Sequence, residues 1–308
     1  MNDAPGTLAA GSPALWLRAI RPFSFTASAI PVFVAVCASW FAGHDVAWPL
    51  LAPTLLAAIA VHGGTNLFND THDFRRGVDR EGTLGGSGLL VSGELRPGST
   101  QKAALLCFAL AAALGVWFVM LRGWPVALVG ALGLAGGYAY TGRPVGYKYR
   151  ALGDLMVFVL MGPLMVVGAD LVLTGAFHPA AIWLGLPVGL LVMSILHGNN
   201  LRDLGDDERS GFVTVAMLLG APRSRAWYAV MVAAAFVAVA ALIALAVLPV
   251  YSAAVALAAP AAGKNIRRVL RHRADSADRL ADIDVQSAQT HALFGVLLCL
   301  SLVVGALV

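Results

Sequence analysis

Nine apolar runs, most of them roughly 17 to 23 residues long, divide the sequence. They lie near 23–42, 48–67, 102–121, 124–140, 154–174, 179–197, 226–247, 249–263 and 290–308. A run of that length crosses a hydrocarbon core of about 30 Å as a helix. The backbone must satisfy its own hydrogen bonds in lipid, so a helical bundle follows. A barrel would show alternation instead of solid apolar blocks. The fourth and eighth runs are the weakest, being short or broken by Gly and Pro. Composition agrees: 59% of the 308 residues are apolar and 12% charged, against about 25% charged in soluble domains. The expected fold is all-α, a polytopic membrane bundle of about nine transmembrane helices around a central cavity. It forms one domain over 1–308, with residues 1–12 as a flexible cytoplasmic tail. Residues 1–15 show no cleavable signal pattern. Cys37, Cys107 and Cys299 sit singly in apolar runs and read as small hydrophobes.

The basic residues fix an orientation. With nine helices, 20 of the 21 Lys and Arg fall on one face, in the N-terminal flank and in the loops after the even-numbered runs. Arg122 alone falls on the other. The positive-inside rule puts the crowded face in the cytoplasm and the C-terminus outside, as expected for a multi-pass protein of the cell inner (plasma) membrane. The net charge of +4 is then mostly topology. No basic segment is interleaved with exposed aromatics, so nucleic acid is not an expected partner. The basic stretch 264–273 suits membrane lipid headgroups.

Two acidic clusters sit at helix ends on that same face. The first, NLFNDTHDFRRGVD (66–79), holds Asn66, Asn69, Asp70, Asp73 and Asp79. The second, HGNNLRDLGDDERSG (197–211), holds Asn199, Asn200, Arg202, Asp203, Asp206, Asp207 and Glu208. If the second helix runs on, Asn69, Asp70 and Asp73 share a face, because residues three or four apart are neighbours. A shift of 134 residues maps Asn66 onto Asn200, Leu67 onto Leu201, Asn69 onto Asp203 and Asp73 onto Asp207. Four helices separate the copies, so both point the same way, which suggests a parallel repeat with two acidic tips facing across a cavity. Oxygen-only ligands select hard cations. Mg²⁺ takes one or two carboxylates and fills its shell with water and phosphate. Two clusters could hold two Mg²⁺ ions around one diphosphate. The plainer alternative is a pair of solvated loops, which suits Asp206 and Glu208 better than Asp70, Asp73, Asp203 and Asp207.

The clusters resemble the paired aspartate motifs of the UbiA superfamily of intramembrane aromatic prenyltransferases. AIRPFSFTASAIPV (19–32), TLGGSGLLVSGEL (83–95) and the stretch from GYKYRALGD to LTG (146–175) are similar to further family segments. NNLRD followed by Gly211 and Thr214 resembles the menaquinone branch, which prenylates 1,4-dihydroxy-2-naphthoate. Phe212 stands where many branch members have Lys, and His72 where many relatives have an aromatic residue. The resemblance implies Mg²⁺-dependent prenyl transfer from a polyprenyl diphosphate to an aromatic acceptor. It implies that Asp70, Asp73, Asp203 and Asp207, with Asp79 as a looser candidate, bind metal. Asn66, Asn69, Asn199 and Asn200 would support them or touch phosphate.

Around that core, Lys148 and Arg202 are cations that could neutralise the diphosphate; a topology marker and a salt bridge are their alternatives. Tyr138, Tyr140 and Tyr147 could face an allylic cation or sit at the interface as Tyr commonly does. Arg21 could reach an acceptor carboxylate or anchor the helix. Asp154 belongs either to the site or to a helix start. His62 and His197 read as hydrogen-bonding partners in the bundle. Other acceptors remain open: 4-hydroxybenzoate, homogentisate, haem or a lipid. A secondary transporter is the rival of another class, since acids and repeats occur there too. Its acids, however, belong at the midplane. Prenyl length and oligomeric state are not legible.

Overall fold

A computed structural model describes residues 12–272 and 280–308. The tail expected at 1–12 lies outside the described residues but for Ser12, as do Arg273 and Arg279 of the last basic loop. The helices are α1 (Pro13–Ile20), α2 (Thr26–Phe41), α3 (Leu51–Arg75), α4 (Pro97–Arg122), α5 (Trp124–Ala139), α6 (Gly153–Met161), α7 (Pro163–Thr174), α8 (Ala180–Arg202), α9 (Leu204–Ser210), α10 (Val215–Ala244), α11 (Ala259–Arg271) and α12 (Ile283–Leu307). No named strand occurs among the described residues; a single bridge joins Arg150 to Val213.

All nine apolar runs become helical segments, but they are not alike. Seven are long and apolar enough to cross a membrane: Pro22–Phe41, Trp48–Arg75, Pro97–Arg122, Gly153–Thr174, Ala180–Arg202, Val215–Ala244 and Ile283–Leu307. The fourth run yields α5, whose 16 residues span about 24 Å at 1.5 Å per residue, short of a full hydrocarbon core. The eighth opens as a 3₁₀ helix over Val250–Ala258 and continues as α11, which carries basic residues in its last turn.

The fifth run is split at Gly162–Pro163, where Pro163 cannot continue the hydrogen-bond ladder. The break lets backbones touch: a Cβ on Gly162 would lie 2.7 Å from Gly185 O and from Gly189 Cα in α8. Likewise Gly64 of α3 presses on α4, its Cβ position 3.0 Å from Cys107 Cβ and 3.2 Å from Ala104 O. Arg122, the odd cation of the charge pattern, donates from Nε to Val172 O at 2.8 Å at the end of α7. It satisfies a helix C-terminus.

The main core joins α2, α7, α8, α10 and α12 around Leu191, Tyr228, Met231, Phe294 and Leu298. A second core lies under α1 and the loop after α3, with Leu15, Leu67, Phe68, Leu89 and Leu90. Large apolar side chains cover the outside instead of carboxylates and lysines; Leu106 and Met120 are more than 70% exposed. That is the surface of a multi-pass membrane protein.

Candidate active site

A cavity of about 980 Å³ runs between the helices. Its long apolar part is lined by side chains of α4, α5 and α7, among them Val119, Val126, Leu134 and Leu164. Its polar end is lined by Arg21, Asn66, Asn69, Asp73, Asp79, Tyr147, Lys148, Asn199, Asn200, Arg202, Asp203 and Asp207. The two acidic clusters therefore meet at one end of one cavity. Arg80, one residue past the first cluster, reaches the second, its Nη2 3.5 Å from Asp206 Oδ1.

α3 does run on through the first cluster, to Arg75. Asn66, Asn69 and Asp73 share its cavity-facing side. Asp73 is almost wholly buried, and both of its oxygens are engaged: Oδ2 pairs with Lys148 Nζ, and Oδ1 accepts from Tyr149 OH at 2.7 Å. Lys148 Nζ also donates to Asn69 Oδ1 at 2.9 Å. The short 3₁₀ turn Tyr147–Tyr149 thus delivers a lysine and a tyrosine to one carboxylate. Asp70 is not among the residues that line the cavity. It pairs with Arg21 and accepts from the Ser87 backbone N–H at 3.1 Å.

The glycine-rich loop after the motif packs against the acids. Gly86 has φ +67°, and a Cβ there would lie 2.5 Å from Asp79 Oδ2, so only glycine fits. A Cβ on Gly85 would lie 3.3 Å from Asp79 Oδ1 and 3.9 Å from Asp203 Oδ2. The loop sits between the two motifs.

The second cluster is built differently. α8 stops at Arg202, Asp203 forms the joint (φ −91°, ψ 7°), and α9 begins at Leu204. Asp203 and Asp207 therefore straddle a break instead of lying along one helix. The Asp207 N–H donates to Asp203 O at 2.9 Å. Arg202 is not a free cation. Its Nε and Nη2 each donate to Asp203 at 2.7 Å, and its Nη1 to Asp284 at 3.2 Å. It clamps the second tip to α12.

Asp154 does not line the cavity. Buried at the start of α6, it contacts His197 Nδ1 at 2.6 Å through Oδ2 and accepts from Asn200 Nδ2 at 3.2 Å through Oδ1. The His197 ring reaches Ser224 Oγ on its other side, at 2.8 Å. The substrate contact expected of Asp154 is thus replaced by support of Asn200. His62 bonds Ser28 at 2.8 Å and Ser24 at 3.2 Å, a partner within the bundle. Tyr140 and Tyr147 line the cavity and meet edge-to-face, 5.4 Å between centroids; Tyr138 does not line it.

Burial pushes the Asp79 carboxyl up to about 7, with Asp73 adding repulsion. Burial likewise pushes Asp207 up to about 7, opposed by Lys148 and reinforced by Asp203. Burial works against a charged Lys148, yet Asp73 outweighs it and holds the ammonium well above its usual range. The carboxylates crowd each other and gain from a cation.

Among the described residues, no three His, Cys, Asp or Glu side chains converge as a ready-made metal cage. The donor set nonetheless suits a hard cation: carboxylates and amides alone, with Asn199 Oδ1 buried and lacking any hydrogen-bond partner. Sequence reading missed Tyr149 and the Ser87 backbone, and ranked Asp206 as a solvated loop residue although it lines the cavity. The buried Asp73 carboxylate needs more than one partner, which was the available signal for Tyr149.

The chain is 33% identical over 207 residues to 1,4-dihydroxy-2-naphthoate octaprenyltransferase of Bacillus subtilis, covering 67% of this chain and 66% of that one. It is 35% identical over 211 residues to human UbiA prenyltransferase domain-containing protein 1, covering 67% and 61%. The match thus spans somewhat less than two thirds of the length of these curated relatives. Among solved structures, a UbiA homologue from Aeropyrum pernix K1 superposes with a TM-score of 0.64 at 17% identity, over 88% of this chain and 96% of the other. A UbiA homologue from Archaeoglobus fulgidus bound to GPP and Mg²⁺ gives 0.60 at 15%, over 92% and 99%. At these identities the structures speak to fold alone. Residues 28–287 match the UbiA prenyltransferase family, and the chain belongs to that family.

Proposed function

We propose that the chain is a Mg²⁺-dependent prenyltransferase that moves a polyprenyl group from its diphosphate to an aromatic acceptor, with 1,4-dihydroxy-2-naphthoate as that acceptor. The observation that carries this is the cavity itself: two acidic, amide-rich helix ends meet at its polar end, and an apolar tunnel leads away from them. A diphosphate suits the first and a prenyl chain the second. The choice of acceptor rests on the likeness to the Bacillus subtilis enzyme.

Asp73, Asp79, Asp203 and Asp207 would hold Mg²⁺, with Asn69, Asn199 and Asn200 beside them. Asp70, which does not line the cavity, would act by fixing Arg21, which does. Bound Mg²⁺ supplies charge neutralisation to the diphosphate leaving group. Lys148, held by Asn69 and Asp73, stands ready to take a phosphate oxygen as negative charge builds there. Arg21 offers a second cation, and its buried Nε has no partner. The faces of Tyr140 and Tyr147 favour an allylic cation nearby and, with the apolar wall, keep water from it. The electron-rich ring then attacks, and the acceptor loses a proton or carbon dioxide. The acidic end would face the cytoplasm of the inner membrane, with the C-terminus outside.

The test is purified protein with labelled prenyl diphosphate, Mg²⁺ or EDTA, and a panel of aromatic acids. The expected result is a prenylated naphthoquinol-type product with Mg²⁺ alone. Product from 4-hydroxybenzoate but not dihydroxynaphthoate would overturn the acceptor. No metal-dependent product with any acceptor would overturn the activity.

A further inference from the structure

A second cavity, about 310 Å³, opens beside the Tyr147–Tyr149 turn that carries Lys148. It is lined by Arg76, Arg143 and Arg150 together with Tyr149, Phe212, Gly142, Pro144, Val145, Gly146 and Gly211. None of these residues is acidic. Among the described residues no carboxylate pairs with any of the three arginines, and all three are exposed. Three guanidinium groups around one concavity repel each other unless an anion joins them.

The walls are built, not merely crowded with charge. The Ala151 N–H donates to Val213 O at 2.7 Å and the Val213 N–H to Tyr149 O at 3.3 Å, which ties the loop after α9 to the turn that carries Lys148. Arg150 Nη2 donates to Pro144 O at 3.1 Å and closes one side. Phe212 and Tyr149 stand edge-to-face, 5.2 Å between centroids. The Arg76 guanidinium lies 4.1 Å over the Tyr149 ring. Beside the arginines, Val145 in the cavity wall and Val213, bridged to Arg150, are 44% and 40% exposed, so apolar surface adjoins the cations.

We propose that this cavity is a binding site for the headgroup phosphate of an anionic phospholipid. A soluble anion would use the arginines and leave the apolar rim bare; a lipid uses both. Basic pockets between helices at a membrane surface bind such headgroups. The reading is independent of prenyl transfer, since neither Arg143 nor Arg150 touches the acidic cavity. The floor is nevertheless the Tyr149 ring whose hydroxyl holds Asp73, so an occupant would sit against the back wall of the acidic centre.

The test is native mass spectrometry of the full chain in detergent. Phosphatidylglycerol and phosphatidylcholine of equal acyl length are added to wild type, to R143Q/R150Q and to K264Q/R267Q/R271Q. The last removes three exposed basic residues of α11, a stripe that attracts headgroups by diffuse charge, and so measures that contribution. Wild type and the α11 variant should hold phosphatidylglycerol in clear preference to phosphatidylcholine, and R143Q/R150Q should lose that preference by roughly 10- to 30-fold. Circular dichroism melts should match, as both sets are surface residues. Undiminished preference in R143Q/R150Q would overturn the site. Equal loss in both variants would reduce it to diffuse surface charge and overturn it too. Displacement of bound phosphatidylglycerol by millimolar diphosphate, with no lipid preference at lower concentration, would show a soluble anion as the occupant and contradict the proposal.

Discussion

The two acidic tips carry related sequences but differ in construction. The first follows one unbroken helix through Asp73, with Asp79 in the segment beyond Arg75, and its helical carboxylates are already matched: Asp73 by Lys148 and Tyr149, Asp70 by Arg21 and the Ser87 backbone. The second straddles the α8–α9 joint. Arg202 ties Asp203 to α12 through Asp284, while among the described residues no ion pair or hydrogen bond engages the Asp207 carboxylate. The first tip is preorganised by the protein. The second gains more from a cation that arrives with substrate. Preorganised polar groups act at full strength in a water-poor site, so substitutions at the two tips should not be equivalent.

The largest effect is expected at Asp73. Asp73→Ala removes the common partner of Lys148 and Tyr149 and leaves a buried ammonium unpaired. Prenyl transfer should fall by about 10³-fold or more, with Asp207→Ala falling less, about 10²-fold, and recovering in part at high Mg²⁺. Equal losses with equal metal dependence would erase the distinction between the tips. Next comes the support beneath the second tip. His197→Ala leaves Asp154 and Ser224 without their partner and should cost about 1–3 kcal/mol in unfolding. It should raise the Mg²⁺ concentration for half-maximal rate more than it lowers the limiting rate, because Asp154, which holds Asn200, loses its own support. An unchanged metal dependence would reduce Asp154–His197 to a packing pair.

Tyr149→Phe sharpens the comparison further. It deletes one hydrogen bond to Asp73 and keeps the ring under Arg76, so a loss of roughly 10-fold is expected, in line with about 1.4 kcal/mol. The smallest effect concerns pH. Asp79 and Asp207, pushed up to about 7, are partly protonated at neutral pH without metal. Mg²⁺ needs the carboxylates, so binding should release protons and tighten from pH 6 to pH 8. Calorimetry in buffers of different ionisation enthalpy reads this directly, and tightening toward pH 6 would contradict it.

Much of this was visible in the sequence, because membrane physics writes itself in local patterns. Run length sets the helices, and the weak fourth and eighth runs announce two irregular ones; the break at Gly162–Pro163 inside the fifth run was not read. The meeting of the two acidic tips followed from counting an even number of crossings between them. Pairings across long stretches of chain were not visible. Tyr149 lies 76 residues from Asp73, and Asp154 lies 43 from His197, with no periodicity linking either pair. For Arg202 the salt-bridge alternative covered Asp203 and left out the second partner. Arg202 was weighed against its acidic neighbours in sequence, while its link to Asp284 comes from α12, 82 residues on.

One measurement bears most directly on the account: crystallographic or cryo-electron microscopy data on the protein with a non-hydrolysable prenyl thiodiphosphate and Mn²⁺ in place of Mg²⁺. Metal density should lie between the end of α3 and the 203–207 joint, touching Asp73 and Asp207, with the prenyl chain along α4 and α5. Metal bound at one tip alone, or a diphosphate seated away from both, would contradict it.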